Sequence, residues 1–118
     1  MGTVYQLSPS GGGGWTETVL YSFEAGSDGN SSISNLVADA TGNLYGTTSE
    51  GGLGSGTIFK LTPEGNGTWT ESISHSFQGS PDGAFPYAGM VGDGVGTFYG
   101  ATVHGGIDGD GTIYKFTP

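Results

Sequence analysis

The chain has no cysteine and only two basic residues, Lys60 and Lys115. Without cysteine there is no disulfide and no thiolate metal site, and the redox compartment stays open. Two cations against 11 acidic residues leave a net charge of −9. That balance excludes the clustered Lys and Arg of a nucleic-acid groove and disfavours an anionic membrane surface. Net acidity is otherwise a statement about solubility. No apolar run approaches ~20 residues, so no helical membrane span is expected. The Met1-Gly2 start lacks the basic and apolar segments of a secretory signal, and none is expected within these residues. Apolar spacing at three, four and seven is also missing, so no helix longer than one turn is expected.

What the chain does have is a period. The stretch GTVYQLSP at Gly2–Pro9 returns as GTIFKLTP at Gly56–Pro63 and again as GTIYKFTP at Gly111–Pro118. Trp15 maps to Trp69, Phe23 to Phe77, Asp28 to Asp82, Asp39 to Asp93 and Tyr45-Gly46 to Tyr99-Gly100, all at a spacing of 54 residues. Of the 54 aligned pairs between Gly2–Ser55 and Gly56–Gly109, 21 are identical. One inserted residue then shifts the third copy to a spacing of 55. The chain is therefore read as one module of two repeats, 2–55 and 56–110, with an extra repeat-start strand at 111–118. A period of this length marks an architecture in which each unit buries its apolar faces against its neighbours. With 26 Gly, 5 Pro and 14 aromatics at recurring places, it predicts short strands joined by tight turns.

Period-2 alternation supports this. In the second copy Phe59 and Leu61 point one way, Ile58 and Lys60 the other. Each copy closes at a proline, which cannot donate to a ladder. A turn (Ser10–Gly14, Glu64–Gly67) leads into the longest strand, Trp15–Phe23 or Trp69–Phe77. One face of that strand is predicted to carry Trp69, Glu71, Ile73, His75 and Phe77, with Thr70, Ser72, Ser74 and Ser76 toward solvent, as suits an outer edge. The polar connection Glu24–Ser34, or Gln78–Ala88, steps to the next sheet. A short strand at Leu36–Ala38 or Met90–Gly92, an Asp-x-x-Gly turn (Asp39–Gly42, Asp93–Gly96) and a strand at Asn43–Ser49 or Thr97–Val103 follow. A Gly-rich turn (Gly51–Ser55, Gly105–Asp110) returns to the start. Each unit thus supplies a four-stranded antiparallel meander, the blade of a β-propeller. With its strands lettered a to d, the chain reads c-d, a-b-c-d, a-b-c.

The run Trp-Thr-Glu-x-Val/Ile, Ser-Phe, Asp-Gly, Gly-Asn-Leu-Tyr-Gly-Thr-Thr, Gly-Gly and Gly-Thr-Ile-Phe-Lys-Leu-Thr-Pro resembles the GloVer tandem repeat over nearly the whole chain. The first unit carries GNLYGTT intact at Gly42–Thr48, and the second departs to GTFYGAT at Gly96–Thr102. The resemblance implies an extracellular or cell-surface bacterial repeat protein and supplies no catalytic residue. It also implies longer arrays, of which two units would be an excised portion or a module.

Candidate chemistry is sparse. His75 and His104 stand where the first unit has Tyr21 and Glu50, so neither recurs as a repeat-borne ligand or base would; both are read as ordinary structural histidines. No nucleophile elbow or phosphate loop is present. Asp108–Ile113 reads like the middle of a calcium loop, but Gly106 and Thr117 stand at two of its ligand positions, so no metal and no cofactor is expected. The repeated acids Asp28/Asp82, Asp39/Asp93 and Glu17/Glu71 suit turns whose Asp side chains bond their own backbone, with a cross-strand ion pair expected between Glu71 and Lys60. Trp15, Trp69, Tyr45 and Tyr99 either fill the space between sheets or, with Asp39 and Asp93, hold a sugar face.

Three functions stay open. They are a non-enzymatic propeller scaffold or adhesion unit, a glycan-binding propeller, and a propeller hydrolase or lyase using Asp39 and Asp93. No catalytic residue is assigned. Two sheets cannot close a ring, and open faces of Phe, Tyr, Trp and Ile would exceed the few hundred Å² tolerated on a monomer. The partner expected is therefore the chain itself, as a homotrimer of six blades or a homotetramer of eight. Because the ends supply c-d and a-b-c, closure leaves one spare c strand. Gly111–Pro118 is favoured for the slot over Gly2–Pro9.

Overall fold

Eleven short strands and no helix form in the computed structural model, which describes Met1–Pro118. They are β1 (Thr3–Pro9), β2 (Trp15–Ser22), β3 (Val37–Ala38), β4 (Leu44–Thr48), β5 (Thr57–Pro63), β6 (Trp69–Ser76), β7 (Gly83–Ala84), β8 (Val91–Gly92), β9 (Phe98–Thr102), β10 (His104–Gly105) and β11 (Thr112–Phe116). β1 and β2 form an antiparallel hairpin, β3-β4-β5-β6 a four-stranded meander, and β8, β9 and β11 a three-stranded sheet in the order β11-β9-β8. The full meander therefore sits in the middle, with a c-d pair before it and an a-b-c trio after it, as the repeat pattern predicts. None of the sheets closes on itself.

A fourth, two-stranded ribbon was not predicted. β7 pairs with β10 through His104↔Ala84 and Gly105↔Gly83. Its counterpart in the first unit is the single bridge Asn30↔Glu50. The connection between sheets is thus also tied back to the Gly-Gly turn of its own unit, which gives the backbone of both segments hydrogen-bond partners.

A bulge corrects the predicted face of the long strand. Ile58 lies opposite His75, but Phe59 lies opposite Ile73, which leaves Ser74 as the extra residue. Because side chains alternate with period two, one extra residue sends everything beyond it to the other face. Trp69 and Ile73 pack on one side with Phe59 and Leu61, whereas Phe77 packs on the other side with Ile58. The hairpin repeats the device, with Val4 opposite Tyr21 and Tyr5 opposite Val19. The expected Glu71–Lys60 ion pair is absent for a related reason. Glu71 pairs with Leu61 while Lys60 pairs with Ser72, so the two charges leave the sheet on opposite faces, and the chain's one salt-bridge contact is His75–Asp82.

Two apolar layers hold the three sheets together. Val4, Phe23, Phe59 and Leu61 fill the first, with Leu20, Tyr21, Leu36, Leu44, Trp69 and Ile73 around them. Tyr45, Ile58, Phe77, Met90 and Phe98 fill the second, flanked by Val37, Tyr114 and Phe116. The two layers are built alike. Phe23 meets Phe59 edge-on at 5.1 Å in the first, and their repeat mates Phe77 and Tyr114 meet at 5.2 Å in the second. Glycine is required where the b strand passes under these rings: a Cβ at Gly46 would overlap Phe59 and Leu36, and one at Gly100 would overlap Tyr114. This close approach accounts for the repeated Tyr-Gly pair. Only 21 of 118 residues are buried. The radius of gyration is 14.9 Å with extents of 53 × 32 × 26 Å, above the about 13.5 Å of a compact domain of this length. The body is a row of sheets, open at both ends.

Candidate functional site

The predicted sugar-binding set divides. Tyr45 is buried in the second layer, and its hydroxyl donates to Asp39 Oδ2 at 3.2 Å. Burial first, and Asp39 second, push the Tyr45 hydroxyl up to about 12. Asp39 also accepts from the Thr41 amide at 2.9 Å, the Asn43 amide at 3.0 Å and Asn43 Nδ2 at 2.8 Å. Those bonds, led by the Asn43 side chain, hold its carboxyl well below the usual range. Asp93 is lowered in the same way by the amides of Val95 and Thr97, at 2.9 and 3.0 Å. Both carboxylates are thus occupied in shaping their turns. Trp69 packs into the first layer, while Trp15 and Tyr99 are exposed.

The exposed members fall on two surfaces at opposite ends of the row. On the hairpin, Tyr5, Leu7, Trp15 and Val19 are exposed. Their mates Phe59, Leu61, Trp69 and Ile73 are the ones that pack into the first layer. At the far end Val91, Tyr99 and Ile113 are exposed, and their mates Val37, Tyr45 and Ile58 belong to the second layer. One end thus presents the front of a sheet joint and the other presents the back. Cavities lie beside the unpaired strand edges as well. One of about 400 Å³ runs along β1 beside Ser32–Leu36. Another of about 210 Å³ lies between β11 and β6, walled by Phe77, His75 and Tyr114.

The charges at the joints differ. In the first joint Tyr21 donates to Asp28 Oδ2 at 3.2 Å, and Glu71 faces them from β6. Glu71 Oε1 is buried without a partner. Burial and then Asp28 push its carboxyl up to about 7, while burial, Glu71 and Asp28 push Tyr21 up to about 12. In the second joint His75 replaces Tyr21, its Nε2 lying 3.0 Å from Asp82 Oδ2. No strand covers that pair, since β11 is paired on its β9 side alone. This His75–Asp82 contact was missed from the sequence, although the Tyr21/His75 mismatch marks it. So was a group at the other face of the second unit, where Phe85 stacks on Tyr87 at 6.4 Å and meets His104 edge-on at 5.9 Å. Its signal is likewise a departure from the repeat, since Ser31, Ile33 and Glu50 occupy those places in the first unit. His, Asp and Glu nowhere gather in threes that could hold a metal.

An all-β chain of tandem repeats defines the class: a modular repeat protein. More narrowly, the chain belongs to the Gloeobacter/Verrucomicrobia repeat family, whose model matches residues 1–118. No curated protein and no solved structure matches it.

Proposed function

We propose that the chain is a non-enzymatic, self-assembling repeat module, and that copies join head to tail to complete a β-propeller. One observation carries this reading: the exposed apolar residues at each end are the repeat mates of residues buried at an internal joint. Phe59 is 0 % exposed and Tyr5 55 %. A head-to-tail contact between such unlike faces makes a ring when its rotation closes. At two blades per chain, a trimer of six blades or a tetramer of eight falls within the usual range. Its role is that of a scaffold or surface adhesion unit, and we include a cell-surface or secreted setting in the proposal. The engagement of Asp39 and Asp93 in their own turns supports a structural role over a hydrolase or lyase, and the burial of Tyr45 weighs against a sugar stacked on that ring. Light scattering at micromolar concentration tests the reading. Three or four chains per particle are expected, and a well-folded monomer overturns it.

A further inference from the structure

The turn between β5 and β6 carries a chemistry that the packing of the sheets does not use. It closes through Glu64 N donating to Thr68 O at 3.0 Å, and its repeat mate between β1 and β2 closes the same way, Ser10 N to Gly14 O at 3.0 Å. The first turn does this with Gly12, Gly13 and Gly14, where the second has Asn66, Gly67 and Thr68. Asn66 and Thr68 are therefore not needed to close it. Glycine is kept at Gly67, with φ +87° beside +85° for Gly13, a left-handed backbone that a side chain would strain. The turn joins two strands of the full meander, so neither end of the chain bounds it. Asn66, Gly67 and Thr68 are all exposed.

Asn66 is set up to react with its own backbone. Its Oδ1 accepts from the Thr68 amide at 3.0 Å and from Thr68 Oγ1 at 2.5 Å. Two donors on one carbonyl oxygen draw electron density from Cγ, and they stand where negative charge develops if a nucleophile adds there. The nucleophile at hand is the Gly67 nitrogen. It follows Asn66 directly, has no side chain to shield it and donates to no other group of the protein. Its attack closes a small ring within one residue and the next, so little freedom is lost on the way. The remaining asparagines differ. Asn30 precedes Ser31, and Asn35 and Asn43 precede leucine, so a side chain crowds each following nitrogen. Nδ2 of Asn30 and of Asn43 is also held, by Glu50 at 3.1 Å and by Asp39 at 2.8 Å, whereas the side-chain bonds of Asn66 are those to Oδ1.

We propose that Asn66-Gly67 is a self-modifying site, at which the side-chain amide of Asn66 is lost with the help of Thr68. The Gly67 nitrogen bonds to Asn66 Cγ and passes its proton through water to Nδ2. The Cγ–Nδ2 bond breaks and ammonia leaves, closing a cyclic imide. Water then opens the imide at either carbonyl, which leaves aspartate or isoaspartate at position 66. Nothing is oxidised or reduced, and water is the only co-reactant. The product adds a carboxylate to a chain already at −9, close in sequence to Glu64. The isoaspartate form also routes the backbone through the side chain, lengthening the turn that Glu64 N and Thr68 O close.

The test is peptide mass spectrometry of the full folded chain held in warm neutral buffer, following the amide-to-acid mass gain at each asparagine. The gain is expected at Asn66, ahead of Asn30, Asn35 and Asn43. Thr68→Val keeps the branched side chain and the amide donor and removes Oγ1. The glycine at the mate position shows that the turn tolerates the loss, so the far-ultraviolet spectrum should not change. This variant is expected to react roughly fivefold more slowly, the scale of one net hydrogen bond. In denaturing urea the turn is gone, and wild type and Thr68→Val are expected to react at the same rate. Asn66→Gln, which needs a larger ring, should abolish the gain at this position. A folded wild type that stays unchanged at Asn66, or that reacts no faster than Thr68→Val, overturns the proposal. So does a rate difference that persists in urea, since it would belong to the size of the neighbouring side chain and not to the turn.

Discussion

Ile58 and Ile113 hold the same place in successive repeats, yet Ile58 is 2 % exposed and Ile113 is 87 % exposed. The difference lies in what covers them. Ile58 lies under the third sheet, and Ile113 has no sheet beyond it. Ile113→Asp is therefore expected to leave the chain folded while abolishing assembly, because the charge would have to be buried only when copies meet. Ile58→Asp would bury an unpaired carboxylate in the second layer, which costs several kcal/mol, and should remove cooperative unfolding altogether. Light scattering and thermal melting by circular dichroism separate the two outcomes. An Ile113→Asp protein that still assembles would show that this face is not the joint.

Glu71 gives a stability prediction with a definite pH sense. Its carboxyl is raised from an ordinary 4.5 to about 7 by burial and by Asp28. A carboxyl raised in the folded state binds its proton more tightly folded than unfolded, so stability is full below about 4.5 and declines as pH rises through about 7. Glu71→Gln removes that decline. The variant should melt higher than wild type near pH 8, and the gap should close as the pH is lowered past 4.5. Equal melting temperatures at both ends would mean that the Glu71 carboxylate reaches water.

Gly46 and Tyr114 test the packing of rings over the b strand, from opposite directions. Gly46→Ala places a methyl against the Phe59 ring and Leu36, and overpacking of this kind costs about 1–3 kcal/mol. The Tyr114 hydroxyl is buried without a hydrogen-bond partner, and burial pushes it up to about 12. Tyr114→Phe gives the ring of its repeat mate Phe59 and relieves a desolvated group, a gain of ~1 kcal/mol. Denaturant midpoints should therefore move down for the first and up for the second.

The strand order was legible because it is a consequence of the period. Trp15 and Trp69, with Tyr45-Gly46 and Tyr99-Gly100, fix which segments are equivalent, and turn residues divide them. The side of the sheet was not legible beyond Ser74. A bulge costs one residue and has no signature in WTESISHS, yet it sends His75 and Phe77 away from Ile73. Glu71 was placed correctly beside Trp69 and Ile73, but its partner was misread: Glu71 lies opposite Leu61 and Lys60 opposite Ser72, so the two charges leave the sheet on opposite faces. The open faces were predicted in kind. Which residues compose them becomes specific only when exposed and buried repeat mates are compared.

Closing a ring brings the β8–β9 pair of one copy to the β2 strand of the next, with room for one c strand between them and two candidates to fill it. β11 is already paired with β9 from Thr112 to Phe116. Its Phe116 ring meets Tyr45 at 5.6 Å, and its Tyr114 ring meets Phe77 at 5.2 Å. β1 is paired with β2 alone, and Tyr5 and Leu7 lie exposed while Val4 is buried. If β11 keeps the slot, Ile113 of one copy takes over the position of Val4 in the next and becomes buried, while β1 is released. Extra ring burial at roughly 25 cal/mol per Å² amounts to on the order of 1 kcal/mol in favour of β11. Deleting Met1–Pro9 should therefore leave particle mass and melting temperature of the assembly nearly unchanged. Deleting Gly111–Pro118 should lower both association and melting temperature, with partial rescue as β1 enters the slot. A silent C-terminal deletion beside a disruptive N-terminal one would reverse the assignment of the two strands. Complete unfolding by either deletion alone would show that the strands are not interchangeable, and would remove the propeller reading with them.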